Sequence, residues 1–311
     1  MIVFNSLEEI KNIEPTVVAL GNFDGIHRGH MEIIRRAVNE ANAAGYKSAV
    51  FTFANHTSTI LKNVPRVKNI TYVEEKIKQI ADMGVDYMFN IPFTEEILKL
   101  SPEDFIDRIL VEKFNIKEAY CGFNYSFGYK AQGTAEVLVH EGLERGIGVH
   151  VQEPFKIDDV VVSSTYIRKL VSEGRMEECT KFLGRRYSID GEVIMGNKLG
   201  RTIGFPTCNI ILDGTMVAPP NGVYITTCTI DGVVRPSITN VGTKPTIGDY
   251  DKNIETHIYD FDEDVYGKKI KVEFIKYVRP EFKFDGIEAL TKQIQQDYII
   301  AKVYHRDHGD K

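Results

Sequence analysis

The stretch VVALGNFDGIHRGH, from Val17 to His30, joins a short apolar run to the start of a helical pattern. The apolar residues are typical of a buried parallel strand, and a turn rich in glycine, asparagine and aspartate follows from Gly21. Beyond the turn, apolar residues recur at helical spacing from Met31 to Ala41. This order of strand, turn and helix predicts an anion site, because free backbone N–H groups and the positive end of the helix dipole face the same point.

Two histidines lie at the predicted start of this helix. His27 and His30 are three residues apart, which places both on one side of the first helical turn. Imidazole donates hydrogen bonds to phosphate oxygens and can carry a charge near neutral pH. The spacing therefore predicts that both side chains bind a phosphate, with two surface histidines as the alternative. The neighbouring positions that we expect to contact the same nucleotide are Gly21, Asn22, Phe23, Asp24 and Gly29.

The pattern G-x-F-D-x-x-H-x-G-H behind a buried strand resembles the signature of the nucleotidyltransferase superfamily. Members of that superfamily transfer a nucleotidyl group from a nucleoside triphosphate to a phosphate or a similar acceptor, and the signature says little about the acceptor. A second candidate phosphate site is VSSTYIR, which ends at Arg168. The hydroxyl groups of Ser163, Ser164 and Thr165 at a helix start can reach phosphates, and the Arg168 guanidinium can clamp one. An ordinary N-cap with a solvated arginine is the alternative.

The bulk composition limits the class of protein. The chain has 311 residues, 43% of them hydrophobic and 26% charged, which is enough for two domains with substantial cores. Its net charge of -6 argues against a general nucleic-acid binder, which is usually basic. The four cysteines are scattered without a C-x-x-C pair, so we expect reduced thiols. The chain has neither a signal-peptide pattern nor a run long enough to cross a bilayer, and we expect a soluble, cytoplasmic protein with no membrane partner.

The pattern of elements changes near residue 184. Before that point, strand-like and helical segments alternate, which predicts a parallel, Rossmann-like α/β sheet covered by helices. One of these helices is expected to start with a capping box of Thr71 and Glu74. After it, strand-like runs follow one another, Asp231-Gly232 is a strong hairpin turn, and a helical pattern returns only from Gly286. The sequence thus predicts an α/β domain over residues 1–183 and a small β-barrel domain, closed by a C-terminal helix, over residues 184–311.

Two loops carry residues suited to binding a flavin or a nucleotide. Asn124, Tyr125 and Phe127 lie in a loop with glycines at both ends, where the rings can stack on a planar group and the amide can bind its polar edge. A surface loop with partly buried aromatic residues is the alternative. The second loop includes Gly196, Lys198, Gly200 and Gly204 and is flexible enough to wrap a polyphosphate. It is not a P-loop, because no helix pattern follows it, and an ordinary glycine-rich hairpin loop is the alternative.

Three oxygen-bearing side chains are the remaining candidate site residues of the C-terminal half. Thr207 and Asn209 alternate along a predicted strand and so share a face, where their oxygens can ligate Mg²⁺. Glu255 lies on the face of its strand opposite Ile254 and Ile258. A carboxylate on the ligand side of a barrel can act as a general base, whereas an exposed residue of an edge strand is the alternative.

Together these segments resemble the family of bacterial bifunctional riboflavin kinases/FAD synthetases over essentially the whole chain. GNFDGIHRGH and VSSTYIR are similar to the adenylyltransferase motifs of that family. LGRRYSIDGEV, GRTIGFPTCN, TNVGTKPT and IETHIYDFDEDVYG are similar to its kinase motifs and occur in the same order. In two places the sequence departs from the family pattern: Cys208 replaces the alanine of P-T-A-N, and Thr57 replaces the usual proline of T-F-x-x-H-P.

The resemblance implies two reactions. In the kinase half, Glu255 takes the proton of the terminal ribityl hydroxyl of riboflavin, which attacks the γ-phosphate of ATP and gives FMN. The glycine loop would enclose the ATP phosphates, and Thr207 and Asn209 would hold Mg²⁺. In the adenylyltransferase half, the FMN phosphate attacks the α-phosphate of a second ATP, which releases pyrophosphate and gives FAD.

His27, His30 and Arg168 are the residues that the resemblance assigns to charge neutralisation in this second reaction, with Asn124 and its aromatic loop in the flavin or nucleotide pocket. The implied partners are riboflavin, FMN and ATP, and the sequence makes no prediction of oligomeric state. Three alternatives stay open: an enzyme with one activity impaired, a non-catalytic flavin-binding regulator on the same scaffold, and a nucleotidyltransferase for another acceptor.

Overall fold

The computed structural model describes residues 1–55, 66–196, 199–243 and 252–309. The contacts within the chain divide it into two compact units. The first unit comprises Met1–Val67 and Thr71–Ser163, and the second comprises Lys68–Ile70 and Ser164–Lys311. This division by contacts falls earlier than the predicted boundary between residues 183 and 184, and the division by activity stays a prediction.

The first unit contains a parallel sheet with helices between its strands. Its described strands are β1 (Ile2–Phe4), β2 (Thr16–Leu20), β3 (Lys47–Phe53), β4 (Tyr87–Ile91), β5 (Ile116–Gly122), β6 (Ser126–Phe127), β7 (Gly133–Thr134), β8 (Gly148–Gln152), β9 (Lys156–Ile157) and β10 (Val160–Val161). Its described α-helices are α1 (Arg28–Ala44), α2 (Val73–Asp82), α3 (Glu95–Leu98), α4 (Pro102–Phe105) and α5 (Ala135–Glu144). A π-helical segment, Ile106–Val111, continues α4, and a 3₁₀ turn spans Tyr129–Ala131.

The order of strands in the main sheet is β1-β4-β3-β2-β5-β8, and all of its pairs are parallel. From β2 the chain proceeds through β3 and β4 on one side, and then crosses to β5 and β8 on the other. The order therefore reverses between β2 and β5, and ligands of such sheets bind outside the carboxyl ends of the strands at this switch point. The predicted parallel α/β sheet is confirmed, and the turn after Leu20 lies at that edge.

The central strand β2 is buried along its whole length because both faces of the sheet are covered. Val18 and Leu20 face one apolar cluster, in which the rings of Phe89 and Phe114 stack with centroids 4.0 Å apart. Val17 and Ala19 face the other cluster, against which α1 packs. The helix buries the residues that its apolar spacing predicts, namely Ile33, Ile34, Ala37 and Ala41, and it ends at a left-handed Gly45 with φ +70°.

The start of α2 differs from the prediction. Its N-cap is Tyr72, which makes no capping hydrogen bond through its side chain, so the predicted capping box of Thr71 and Glu74 is wrong. The Thr71 N–H instead donates to Oδ1 of Asp24 at 3.4 Å. A long-range contact to the turn after β2 has therefore replaced the local cap.

The second unit contains an antiparallel sheet that almost closes into a barrel. Its described strands are β11 (Tyr187–Glu192), β12 (Cys208–Leu212), β13 (Gly222–Ile230), β14 (Val233–Thr243), β15 (Lys252–Ile258) and β16 (Lys269–Arg279). Its described helices are α6 (Ser164–Ser172), α7 (Met176–Leu183), α8 (Leu199–Thr202) and α9 (Ile287–His308). The strand order is β11-β16-β13-β14-β15-β12, and a bridge between Ile194 and Asn209 joins the two ends of this order. The predicted small barrel with a C-terminal helix is confirmed.

Alternation along β15 determines what each side of the barrel wall presents. Ile254 and Thr256 point into the barrel, where the Thr256 hydroxyl lies 2.9 Å from that of Thr239. Asn253, Glu255 and His257 therefore point outward. The helix α9 covers part of this outer wall, with Ala301 in the apolar cluster formed there. The outer wall thus carries the amide, carboxylate and imidazole groups of β15.

Candidate active sites

The turn that follows β2 is held in an unusual backbone conformation. Phe23, Gly25 and Ile26 have φ angles of 46°, 84° and 37°, all in the left-handed region. This region costs little for glycine, but it is unfavourable for a bulky or β-branched residue. Both apolar side chains are buried in the core, with Phe23 1% and Ile26 0% exposed. Core packing therefore stabilises a strained turn, and such strain is typical of functional sites.

His27 and His30 lie side by side at the start of α1. His27 is the N-cap rather than a residue of the first helical turn, and its Nδ1 accepts a hydrogen bond from the His30 N–H at 3.2 Å. Because Nδ1 is an acceptor, the proton of the neutral His27 ring lies on Nε2. The two rings stack with centroids 3.6 Å apart, and the edge of Phe23 packs at 5.2 Å from His30. The two imidazoles thus lie side by side, and their binding of a phosphate stays a prediction. In its neutral form His27 can donate only through Nε2.

A buried lysine lies beneath this turn, and the sequence analysis missed it. Lys76 of α2 is 7% exposed, and its Nζ lies 3.4 Å from the carbonyl oxygen of Asn22 and 3.3 Å from Oγ1 of Thr52. The Thr52 hydroxyl donates to the same carbonyl oxygen at 2.8 Å. Burial lowers the pKa of Lys76, and the attraction of Asp24 opposes that shift. The available signal was that Lys76 occupies a core position of α2, four residues before the buried Ile80.

The loop after β5 lies across the switch point from this turn. Asn124 is exposed there, and its Oδ1 would lie 3.3 Å from a Cβ added to Gly122. Phe127 is 6% exposed and packs on Phe105 with ring centroids 5.3 Å apart. Tyr125 is half-buried against Phe127. The burial of Phe127 favours the alternative of an aromatic loop packed on the core, whereas Asn124 remains accessible to a ligand.

The residues of the second predicted phosphate site belong to the second unit, apart from Ser163 at the end of the first. The helix α6 begins at Ser164, and Thr165 is exposed in its first turn. The Nε–H of Arg168 donates to the carbonyl oxygen of Lys68 at 2.7 Å. The predicted role of these side chains in binding phosphate stays a prediction.

The glycine loop of the second unit packs closely against the residues around it. A Cβ added to Gly196 would lie 2.5 Å from Nδ2 of Asn209, and one added to Gly200 would lie 2.3 Å from the carbonyl oxygen of Phe205. Neither position can hold a side chain without a shift of its neighbours. Gly204 has a φ of 83° and is exposed, and Lys198 lies outside the described residues. The backbone at Gly196 and Gly200 is therefore constrained by close contacts.

Glu255 and Asn209 meet through a residue that the sequence analysis did not consider. They are register partners of neighbouring strands β15 and β12. Nδ2 of Asn253 donates both to Oδ1 of Asn209, at 3.2 Å, and to Oε1 of Glu255. Asn253 is 2% exposed, and its own Oδ1 has no hydrogen-bond partner among the described residues. One amide group thus holds the predicted metal ligand and the predicted base in a fixed relation.

This arrangement fits a hard cation. The oxygens of Thr207, Asn209 and Glu255, together with the unsatisfied Oδ1 of Asn253, are of the kind that Mg²⁺ prefers. The strand β12 begins at Cys208, so Thr207 directly precedes it, and Nδ2 of Asn209 reaches back to the Thr207 carbonyl at 3.5 Å. Within the described ranges, His, Cys, Asp and Glu side chains do not form a metal-binding group of three or more. A cation held here would take its remaining ligands from phosphate and water.

His257 holds the segment that leads into β12 through a hydrogen bond and ring contacts. Its Nδ1–H donates to the carbonyl oxygen of Pro206 at 2.7 Å, and its ring packs edge-on to Phe205 at 5.5 Å and tilted against Tyr298 at 5.7 Å. Burial lowers the pKa of His257, so the ring tends to stay neutral. The hydrogen bond to Pro206 thus holds the residue that directly precedes Thr207.

The four cysteines are free thiols and are all buried, as expected for reduced residues. Burial raises the pKa of Cys208 to about 11 and of Cys228 to about 12. Neutral thiols are weak nucleophiles and poor metal ligands. The replacement of alanine by Cys208 thus places a small, unreactive side chain in the barrel wall.

Comparison with known proteins finds relatives of the whole chain. The FAD synthetase family model matches residues 9–166, and the riboflavin kinase family model matches residues 183–305. The chain is 38% identical to the bifunctional riboflavin kinase/FMN adenylyltransferase of Bacillus subtilis, over 91% of this chain and 90% of that protein. It is 30% identical to the protein of the same name from Escherichia coli, over 94% of this chain and 93% of that protein.

A solved structure shares the fold over almost the full length. The crystal structure of a protein named macrolide-efflux protein, from Streptococcus pneumoniae, superposes with a TM-score of 0.87 at 29% identity and covers 97% of this chain and 98% of that chain. Among the described residues of the present chain, we find no helix that is long and apolar enough to span a membrane.

Proposed function

The chain belongs to the family of bifunctional riboflavin kinase/FMN adenylyltransferases, and we propose that residues 1–183 carry out adenylyl transfer and residues 184–311 phosphorylate riboflavin, each part with its own set of residues. The observation that carries this proposal is that each unit has a separate cluster of phosphate-directed or proton-accepting groups. In the first unit this cluster is the turn after β2 with His27 and His30. In the second it is Asn209 and Glu255, joined by Asn253.

In the proposed kinase reaction, Glu255 accepts the proton of the terminal ribityl hydroxyl of riboflavin. That oxygen forms a bond to the γ-phosphorus of ATP, the bond from phosphorus to the β,γ-bridging oxygen breaks, and FMN and ADP result. The hydrogen bond from Asn253 supports this role, because it fixes the position of the Glu255 carboxylate. The backbone at Gly196 and Gly200, together with Lys198, would surround the triphosphate.

The metal in this site would be Mg²⁺, held by Thr207 and Asn209, and its chemistry is to neutralise charge on the phosphates of bound ATP. The donor set supports this assignment, since the amide groups of Asn209 and Asn253 lie beside the Glu255 carboxylate. Asn253 contributes to the site by donating a hydrogen bond to Oδ1 of Asn209, which holds that side chain in place.

In the proposed adenylyl transfer, a phosphate oxygen of FMN forms a bond to the α-phosphorus of ATP, and pyrophosphate leaves. The residues do little covalent chemistry and instead position the groups and stabilise negative charge. His27 donates through Nε2, while His30 and the backbone N–H groups of the turn lie beside it. The hydroxyls of Ser163, Ser164 and Thr165, with Arg168, are assigned to the same reaction through the resemblance of their segment to the family motif, and Asn124 is assigned to the flavin or nucleotide.

The experiment that tests this division replaces the proposed base. We expect Glu255→Gln to slow FMN formation at least about 100-fold, because glutamine keeps the acceptor oxygen for Asn253 but cannot take a proton. FAD formation from supplied FMN should be unchanged in the same protein. The matched control is Glu177→Gln, which removes an exposed ion pair with Lys276 and should leave both rates unchanged. Loss of both activities in folded Glu255→Gln protein would refute the proposal that the two reactions use separate sites.

A further inference from the structure

We propose that Lys76 is a positioning residue for adenylyl transfer, which holds the carbonyl group of Asn22 inward and so directs the N–H of Phe23 toward the phosphates of the bound nucleotide. This inference rests on the proposed function of the first unit. It concerns a residue of α2, outside the motif that contains the histidines.

Two donors converge on the same carbonyl oxygen. The Thr52 hydroxyl lies 2.8 Å from the Asn22 oxygen, and Nζ of Lys76 lies 3.4 Å from it and 3.3 Å from the Thr52 hydroxyl oxygen. Thr52 is fully buried in β3, and Lys76 is 7% exposed. The three groups form a closed triangle that ties the turn after β2 to the next strand and to the helix α2. The carbonyl group therefore points into the protein.

The orientation of this carbonyl determines the orientation of the next N–H group. In a trans peptide unit the C=O and N–H bonds point in opposite directions, and the structure contains no cis peptide bond among its described residues. The N–H that shares a peptide plane with the Asn22 carbonyl is that of Phe23. Since the carbonyl points toward Lys76, this N–H points away from it, toward the outer side of the turn. That side is the one reached by a ligand at the switch point between β2 and β5.

The left-handed conformation of the turn makes this anchor necessary. Phe23 has a φ of 46°, which disfavours the observed orientation of the peptide unit before it. A chain released from the anchor can relieve this strain by rotating the peptide unit between residues 22 and 23. Such a rotation would turn the Phe23 N–H away from the phosphates.

Burying a lysine at position 76 costs desolvation free energy that an apolar side chain would not cost. Lys76 lies on the same helical face as Ile80, at a position where α2 otherwise buries apolar groups. Burying an ammonium group without a close carboxylate is unfavourable, and here its nearest acceptors are neutral oxygens, with Asp24 as the acidic group whose field acts on it. Nζ of Lys76 can donate to the carbonyl oxygen in either protonation state, and the field of the α1 N-terminus favours an anion on the outer side of the turn.

The test compares Lys76→Met with Thr52→Val and with the double variant in the full-length protein. The assay measures kcat and KM for FAD formation from FMN and ATP, and riboflavin phosphorylation by the same preparation reports on the other unit. The matched control is Leu138→Ala, which removes a buried side chain of α5 in the same unit, away from the turn. Thermal unfolding of each variant shows how much protein is folded at the assay temperature.

We expect Lys76→Met to lower kcat for FAD formation about 100-fold, which is the size of effect caused by misplaced catalytic groups, with little change in KM for FMN. Thr52→Val should lower kcat by a smaller factor. The double variant should be no slower than Lys76→Met, because both side chains act through one carbonyl group. Leu138→Ala should unfold at a lower temperature yet keep its kcat.

Two results would overturn the inference, and they are distinguishable from each other. If the unmodified chain makes FAD and Lys76→Met has an unchanged kcat, or loses activity only in proportion to unfolded protein as Leu138→Ala does, then Lys76 has a purely structural role. If the unmodified chain makes no FAD from FMN and ATP, the proposed function of the first unit fails and the inference fails with it.

Discussion

His27 has two proposed roles, since its side chain caps α1 and presents an imidazole to the nucleotide. Two different substitutions of this residue can separate these roles. Nδ1 accepts the His30 N–H at 3.2 Å, and the ring is 5% exposed. His27→Ala removes both the cap and the donor. His27→Asn keeps a side chain that is among the best N-caps but lacks a donor at the position of Nε2.

The structure gives a different magnitude for each role. Loss of an N-cap costs about 1 kcal/mol, which corresponds to a decrease of about 2–4 °C in the unfolding temperature of a unit of this size. Loss of a hydrogen-bond donor that stabilises developing charge typically costs about 2.7–4 kcal/mol, or about 100- to 1000-fold in kcat. We therefore expect His27→Ala to show both effects and His27→Asn to show only the second.

The assay follows FAD formation from FMN and ATP by chromatography, with FMN formation from riboflavin as the control in each sample. The kinase rate should equal that of the unmodified chain in both variants. A wild-type rate of FAD formation in His27→Asn would refute this account, because it would mean that His27 serves only as a helix cap.

Two further predictions concern the second unit. Gly200→Ala should greatly slow riboflavin phosphorylation and leave FAD formation from FMN intact, since the new Cβ would lie 2.3 Å from the Phe205 carbonyl oxygen. The matched control is Gly232→Ala, in a hairpin where φ is +80° and where a Cβ would meet open space. This control should lower the stability of the protein but leave the kinase rate of the folded protein unchanged. Equal kinase rates in both variants would contradict this account of the loop. Burial lowers the pKa of His257. Between the pKa of an unfolded histidine, about 6.5, and this lower native pKa, the unfolded chain therefore binds more protons than the native state. We expect the second unit to lose stability as the pH falls through this interval. His257→Gln should weaken that dependence in thermal unfolding measured from about pH 7 to 5, and an unchanged slope would show that other groups cause it.

Much of the fold could be predicted because local patterns and tertiary packing agree. The apolar run before Gly21 became the central strand, the spacing of Ile33, Ile34, Ala37 and Ala41 became the buried face of α1, and Asp231-Gly232 became a hairpin with left-handed residues. In each place, the residues that favour the local structure are also those that the core buries or the turn requires. The start of α2 could not be predicted, since the contact of Thr71 with Asp24 joins residues far apart in sequence.

The candidate sites divide in a similar way. His27, His30 and Glu255 could be proposed from their residue types and spacing, and their roles stay predictions. Lys76 and Asn253 could not, because their importance depends on partners that only the fold brings together. A lysine in an amphipathic helix and an asparagine in a strand are ordinary residues until burial removes them from water.

For Phe127, the sequence suggested a binding role for a side chain that packs in the core. Its loop has the composition of a ring-binding site, yet the ring packs on Phe105 inside the core. An aromatic residue between glycines is equally suited to either environment, and tertiary packing decides between them.

The most direct test of two reactions on one chain is a time course of the purified full-length protein with riboflavin, ATP and Mg²⁺. The account predicts that FMN appears first and FAD follows, with one ADP formed for each riboflavin consumed and one pyrophosphate for each FAD. FMN that accumulates without FAD, or riboflavin that remains unchanged, would contradict it.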